Sequence, residues 1–387
     1  MRILFVNEKC GYFGGIEQNV ADTAAGLRGR GHVCTLAFQE ATGRLVDEYR
    51  GIFDECVPMQ PFEKAVARAR PDVIYIHKAD VQALGEMPAG VRRVRMVHDH
   101  DLCCPRRHKY YAWNGRICHQ PAGWRCYLDL AFLGRGTGPA KIAFVSIGEK
   151  LREMRVNRDL PLLLAGSGAM RSELLQNGFS AEQVRILPPV VRMPERAMSP
   201  IPRENRILYV GQLIRGKGVD LLLEALSHAV CDFELTIAGT GNALDRLKAL
   251  CAKLGLTSKV SFAGWVNPGD LGSFYAAAKL VVVPSRWPEP FGMIGLEAMH
   301  YGRPVVAFNA GGISDWLQDG VTGLLAPEQD VKALAAAIER LLRDDELCSQ
   351  MGRQAQAVVR SKFTFDGYLD RLESLLANGA TAVGQSV

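Results

Sequence analysis

Short apolar runs alternate along most of the chain with stretches whose apolar positions recur three or four residues apart. This is the pattern of buried parallel strands joined by crossover helices. Runs at 3–6, 33–38, 52–57, 73–77, 94–98, 162–165 and 184–187 predict one such sheet. Between the first two, Ile16, Val20, Ala24 and Leu27 follow helical spacing until Gly29 and Gly31 end it. The rhythm breaks at 188–202, which holds five prolines and no period and so reads as a linker. It restarts with strands expected at 207–210, 234–238, 260–262, 280–283, 305–308 and 324–326, and helices at 219–229, 244–254, 271–278, 294–301 and 331–342. The expectation is an α/β chain of two tandem doubly wound domains: 1–190, a linker at 191–203, and 204–377. An amphipathic last helix near 368–376 would pack back on the first domain, and 378–387 would be a flexible tail. Open α/β sheets bind ligands beyond the carboxyl ends of their strands, so two such domains are expected to face a common cleft.

Composition narrows the class. With 387 residues, 48% hydrophobic and 22% charged, the chain has the balance of a globular protein rather than a disordered one. A net charge of +5 is too mild to argue for nucleic-acid binding, although the basic surplus lies in the first half. No apolar run approaches the ~20 residues that cross a bilayer, and no leader pattern follows Met1, so a cytoplasmic protein is expected. Ten cysteines are then expected as thiols. Cys103, Cys104, Cys118 and Cys126 lie near His108 and His119, but their spacing fits no standard zinc pattern, leaving free thiols as the main reading.

Three passages carry chemistry. Residues 11–17, GYFGGIE, leave a strand and open a helix, where Gly14 and Gly15 let backbone amides approach a phosphate or merely form a turn. Residues 209–218, YVGQLIRGKG, place Arg215 and Lys217 among glycines at a strand mouth, suited to a diphosphate or else to solvent. Residues 284–297, PSRWPEPFGMIGLE, bend through three prolines into a helix. They set Glu289 above a strand end and Glu297 inside an apolar helix, where a carboxylate is costly unless something polar bonds it. Sugar or ribose hydroxyls would serve, with the amides of Phe291 and Gly292 opening the helix toward a phosphate.

In their order and spacing these passages, with IAGTGNALDRLKAL, VSFAGWV and GGISDWLQDGVTGLLA, resemble the retaining nucleotide-sugar glycosyltransferases of the GT-B fold, the glycosyl transferases group one family. The resemblance spans nearly the whole chain and is densest over 206–342. It implies two Rossmann-like domains, the first for the acceptor and the second for the donor. It also implies metal-independent transfer with retention of anomeric configuration, with no cofactor beyond the nucleoside-diphosphate sugar. At matching positions it implies that Glu289 lies near the donor sugar, Glu297 holds the ribose, and Lys217 meets the diphosphate. The donor site would further include Gly211, Gln212, Phe291, Gly292 and Met293, and the backbone at Trp265 and Val266 would meet the base. Gly14 and Gly15 would reach the phosphate or sugar from the other domain, and His98 would stand near the reacting sugar. Many relatives carry arginine where this chain has Gln212, and Arg215 is expected to supply that charge.

The aromatic, basic segment 101–127 has no clear period. Arg106, Arg107, Tyr110 and Tyr111 are expected to recognise a glycan or lipid-linked acceptor, with peripheral membrane association and a cell-surface polysaccharide role in view. Trp113 belongs to the same segment. Alternatives are a non-catalytic nucleotide-sugar-binding subunit or another GT-B enzyme such as an epimerase or phosphorylase. A dehydrogenase is weaker, since Gly239 and Gly241 lack the third glycine of the dinucleotide fingerprint.

Overall fold

The computed structural model describes residues 1–42, 44–80, 84–85, 88–111, 114–135, 142–194 and 199–378. Trp113, part of the expected linker (195–198) and the expected tail from 379 onward lie outside the described residues. The chain forms two compact units. One comprises Met1–Lys109, His119–Arg192 and the C-terminal stretch from Phe365; the other comprises Tyr110–Cys118 and Met193–Thr364. A single cut at the linker therefore does not describe the division: the segment 110–118, expected in the first domain, groups with the second.

In the first unit the elements run β1 (Arg2–Cys10), α1 (Gly15–Gly29), β2 (Val33–Ala41), α2 (Val46–Gly51), β3 (Glu55–Pro58), α3 (Phe62–Ala69), β4 (Val73–Lys78), β5 (Arg92–Val97), α4 (Arg125–Leu128), β6 (Leu133–Arg135), β7 (Ile142–Phe144), α5 (Ile147–Arg158), β8 (Leu162–Ala165), α6 (Gly168–Gln176) and β9 (Val184–Ile186). Seven strands make a parallel sheet ordered β3-β2-β1-β4-β5-β8-β9, and β6 and β7 form a separate antiparallel pair. Its direction of growth reverses between β1 and β4, the topological switch point of a doubly wound sheet. The strand expected at 52–57 starts later. Residues just before it coil into α2, which buries Tyr49 completely, and Ile52 caps that helix. Helix α5 escapes the apolar pattern because Lys150 and Asn157 occupy buried positions on it.

The second unit contains β10 (Arg206–Val210), α7 (Val219–Ser227), β11 (Glu234–Ala238), α8 (Leu244–Lys253), β12 (Val260–Gly264), α9 (Leu271–Ala277), β13 (Leu280–Val283), α10 (Met293–His300), β14 (Val305–Phe308), β15 (Gly323–Ala326), α11 (Val331–Arg343) and α12 (Asp345–Lys362). Its parallel sheet is ordered β12-β11-β10-β13-β14-β15, the Rossmann order, with the reversal between β10 and β13. Every residue of β13 and β14 is buried, as expected for central strands covered on both faces. Helix α12 was not legible as an apolar stripe. Its buried face uses Cys348, Met351, Gly352, Ala355 and Gln356, and a Cβ on Gly352 would come within 2.2 Å of the Gly302 carbonyl oxygen.

Candidate functional site

The switch point of the second unit is built by the loops after β10 and β13. Gly216 accepts from the main-chain amides of Arg286 (2.8 Å) and Trp287 (3.1 Å), which ties the Arg215–Lys217 turn to the proline-rich loop. The Arg286 guanidinium reinforces the tie, bonding Arg215 O at 2.8 Å and both oxygens of Asp220 at 3.1 and 3.0 Å. This bidentate geometry is the strong form of an arginine–carboxylate pair. Gly218 completes the turn in a left-handed conformation (φ +68°), and a Cβ there would lie 1.8 Å from Pro284 O. Only glycine fits, because the two loops touch through backbone.

Those constraints aim Lys217 at Glu289. The ammonium bonds both carboxylate oxygens, at 2.8 and 3.1 Å, and Ser285 Oγ donates to Oε1. Glu289 is only 4% exposed. Burial alone would raise its carboxyl, but the Lys217 charge and the bonds from Lys217, Ser285 and Trp287 hold it below the usual range. The Lys217 ammonium also lies 5.1 Å from the Trp287 ring centre. The Glu289 backbone is pinned on both sides: its amide donates to Ala310 O and its carbonyl accepts from Gly312 N. The site thus presents an ionised carboxylate and a cation already in register.

Glu297 has a separate partner, accepting from the buried Tyr275 hydroxyl at 2.7 Å. Helix α10 begins after Gly292, whose φ of +93° turns the chain, and Trp316 donates to Phe291 O at 2.6 Å beneath it. Gly211 stands close to Ile294, and the Gln212 carbonyl accepts from Tyr209. Met293 is the first residue of α10, and Val266 follows the edge strand β12. The hairpin at 110–118 lies against the same turn. Tyr110 bridges Ile117, its ring is 3.4 Å from where a Gly216 Cβ would sit, and Gln329 donates to Gly115 O. Ile117 joins the apolar core of this unit. A Cβ on Gly115 would meet the Arg286 side chain at 3.0 Å and that of Arg215 at 3.6 Å. Tyr111 closes the hairpin through its amide to Arg116 O.

In the first unit, Gly14 and Gly15 open α1, and Glu17 turns back to accept the Gly14 amide at 2.9 Å. His98 follows β5 directly and is bonded to His77 of β4 at 2.8 Å. Burial, helped by the nearby Lys78 charge, lowers the His98 pKa to about 3, so its imidazole is neutral. Beside it Lys78, Asp99, Asp101 and Arg95 form a continuous ionic network, and Arg95 also donates to Asn157 Oδ1. Arg106 spends its guanidinium on the Asp129 and Leu130 carbonyls, whereas Arg107 is exposed. The four residues expected to meet an acceptor are therefore split, with Arg106 and Arg107 in one unit and Tyr110 and Tyr111 in the other. Burial pushes the Cys103 and Cys104 thiols up, and Cys118 lies in the other unit from Cys126. Among the described residues no three His, Cys, Asp or Glu side chains gather as a metal site. No described helix is long and apolar enough to cross a membrane. Sequence reasoning missed Ser285, Arg286, Asp220 and His77 as parts of these constellations, although Ser285 and Arg286 stand inside the quoted motif.

Residues 193–358 match the family Glycosyl transferases group 1. Over this segment the chain is similar to that family. An uncharacterized glycosyltransferase of Methanocaldococcus jannaschii is 35% identical over 165 residues, covering 42% of each chain. The α-D-kanosaminyltransferase of Streptomyces kanamyceticus is 34% identical over 172 residues, 44% of each chain. The chain thus spans less than half the length of these two curated relatives. Across 97% of this chain and 99% of the other, the structure superposes on Anabaena HepE in complex with UDP and glucose, with a TM-score of 0.74 at 22% identity. The fold is GT-B, with two parallel Rossmann-like sheets.

Proposed function

We propose that this protein is a retaining glycosyltransferase that moves a sugar from a nucleoside-diphosphate sugar to a glycan, lipid-linked or small-molecule acceptor. The observation that carries the reading is the Lys217–Glu289 pair, fixed by two interlocked loops at the switch point of a Rossmann sheet. The family match around it and the relatives named as glycosyltransferases support the same reaction. Anabaena HepE, with the same fold, is described with UDP and glucose, which supports a nucleotide-sugar donor.

The step breaks the anomeric C–O bond and leaves charge on the departing diphosphate. Lys217 would neutralise it, aided by Arg215 and the amides that open α10, so that no metal is called for. Glu289, held ionised, would accept hydrogen bonds from the sugar hydroxyls and orient the donor, while Glu297 would take the ribose. The acceptor hydroxyl would attack from the face the diphosphate leaves, passing its proton to the leaving phosphate oxygen, which preserves configuration. Tyr110 and Tyr111, in the hairpin against the Arg215–Lys217 turn, would contribute to acceptor recognition.

A thermal-shift panel of UDP-, GDP- and ADP-sugars tests the donor, because a ligand at a hundred times its Kd adds about 2.7 kcal/mol to the folded state. One base is expected to give a clear shift, and EDTA is expected to leave turnover unchanged. No shift with any nucleotide sugar would overturn the reading. Binding without transfer to any acceptor would favour the non-catalytic subunit.

A further inference from the structure

His98 is expected near a reacting sugar, but His77, its buried partner, has no role in what precedes. His77 is 1% exposed in the middle of the first sheet, its ring nearly parallel to Phe5 (10°) and beside Tyr75 at 4.2 Å between centres. Its Nδ1 lies 2.8 Å from His98 Nε2. The two rings are within 20° of parallel with centres 5.1 Å apart, the separation of two imidazoles joined end to end in one plane. The shared hydrogen bond is therefore in line with both rings, as a strong bond requires.

Both imidazoles are neutral, because burial lowers His77 well below its ordinary value and His98 likewise. Each ring then carries one N–H, and only one of the two can occupy the shared bond. If His98 donated, the His77 proton would sit on Nε2, which is buried and has no hydrogen-bond partner. A buried, unsatisfied N–H carries a desolvation cost of about 1–3 kcal/mol. If His77 donates, its bare Nε2 is left with only an unfilled lone pair, the orphan that interiors tolerate more readily. The second arrangement places the His98 proton on Nδ1, the ring nitrogen not engaged by His77.

We propose that His77 is a positioning residue that locks His98 in the Nδ1–H tautomer, so that the ring nitrogen His98 keeps for a ligand is a hydrogen-bond donor and not a base. This rests on the glycosyltransferase reading for the ligand, but the tautomer itself does not. A buried partner sets a functional imidazole's proton in the way that carboxylates orient metal-bound histidines.

Two-bond 1H–15N correlation spectra of the full chain labelled with 15N-histidine read the tautomer directly, with His98→Asn assigning the signals. The expected pattern for His98 is Nδ1–H in the free protein. In His77→Phe it should move toward Nε2–H, with kcat falling about 10–100-fold and the donor KM within about threefold. His77→Asn, whose amide reproduces the Nδ1–H donor, should restore both the pattern and most of kcat. An Nε2–H pattern in the wild-type chain, or full kcat in His77→Phe, would overturn the proposal. An Nδ1–H pattern in a protein that transfers no sugar would instead uphold the lock and overturn the proposed function. The His77→Asn variant keeps the test decisive if His77→Phe disturbs folding.

Discussion

Lys217 illustrates how much one side chain depends on its partner. It is 18% exposed and Glu289 4%, so the pair sits where charge is expensive to leave unmatched. Replacing Lys217 by Met strands a buried carboxylate, and loss of one member of such a pair costs about 3 kcal/mol. The sign with pH follows from the lowered Glu289 pKa. Its contribution is complete above the ordinary value of 4.5 and is lost as pH falls through the lower folded value. The stability gap between wild type and Lys217→Met, measured by urea denaturation, should be widest near pH 7 and close as pH falls below 4.5 through the lowered folded value. The same variant should lose roughly 100–1,000-fold in kcat, the usual effect of removing one donor to a developing oxyanion. A gap independent of pH would show that Glu289 does not respond to Lys217. Much of this residue-level site was legible. Glu289, Lys217 and the turn glycines stand out because charged groups are rare beside buried strands. Asp220 and Arg286 did not stand out, since a bidentate pair between residues 66 apart in sequence leaves no local trace.

At the scale of elements, the two loops of the switch point act as one piece because glycine lets them meet through backbone. Gly218→Ala would put a methyl into the Pro284 carbonyl and impose a left-handed backbone on an alanine, costing more than about 1 kcal/mol. Since the turn that carries Lys217 must shift to make room, donor affinity should fall along with stability. Isothermal titration with the preferred nucleotide and a melting curve check both; unchanged affinity would mean that the turn does not hold the donor. The strands and most helices of the second unit follow from apolar periodicity, because buried parallel strands are continuous apolar runs. Elements such as α5 and α12 were hidden by small and polar residues on their buried faces, where tight packing replaces hydrophobic bulk.

At the scale of the whole molecule, the C-terminal helix Phe365–Asn378 belongs to the unit that the N-terminus begins. Tyr368 bonds Thr23 at 3.0 Å, Arg30 pairs with Asp370 and Glu373, and Gly26 admits Leu369 where a Cβ would clash at 2.6 Å. Leu372 is fully buried there, so Leu372→Ala should cost about 2–5 kcal/mol. Hydrogen exchange should then quicken in α1 and β1 while α7 stays protected; faster exchange in α7 would show that the two units unfold together. The sequence by itself determined that the chain is a pair of doubly wound sheets and where the strand-mouth loops lie, because periodicity and glycine placement act over a few residues. Only the tertiary structure decided that segment 110–118 packs with the second unit, that Lys217 takes Glu289 and not Glu297, and that His77 reaches His98. Those pairings join residues far apart in the chain, and their energies come from burial that no local pattern records.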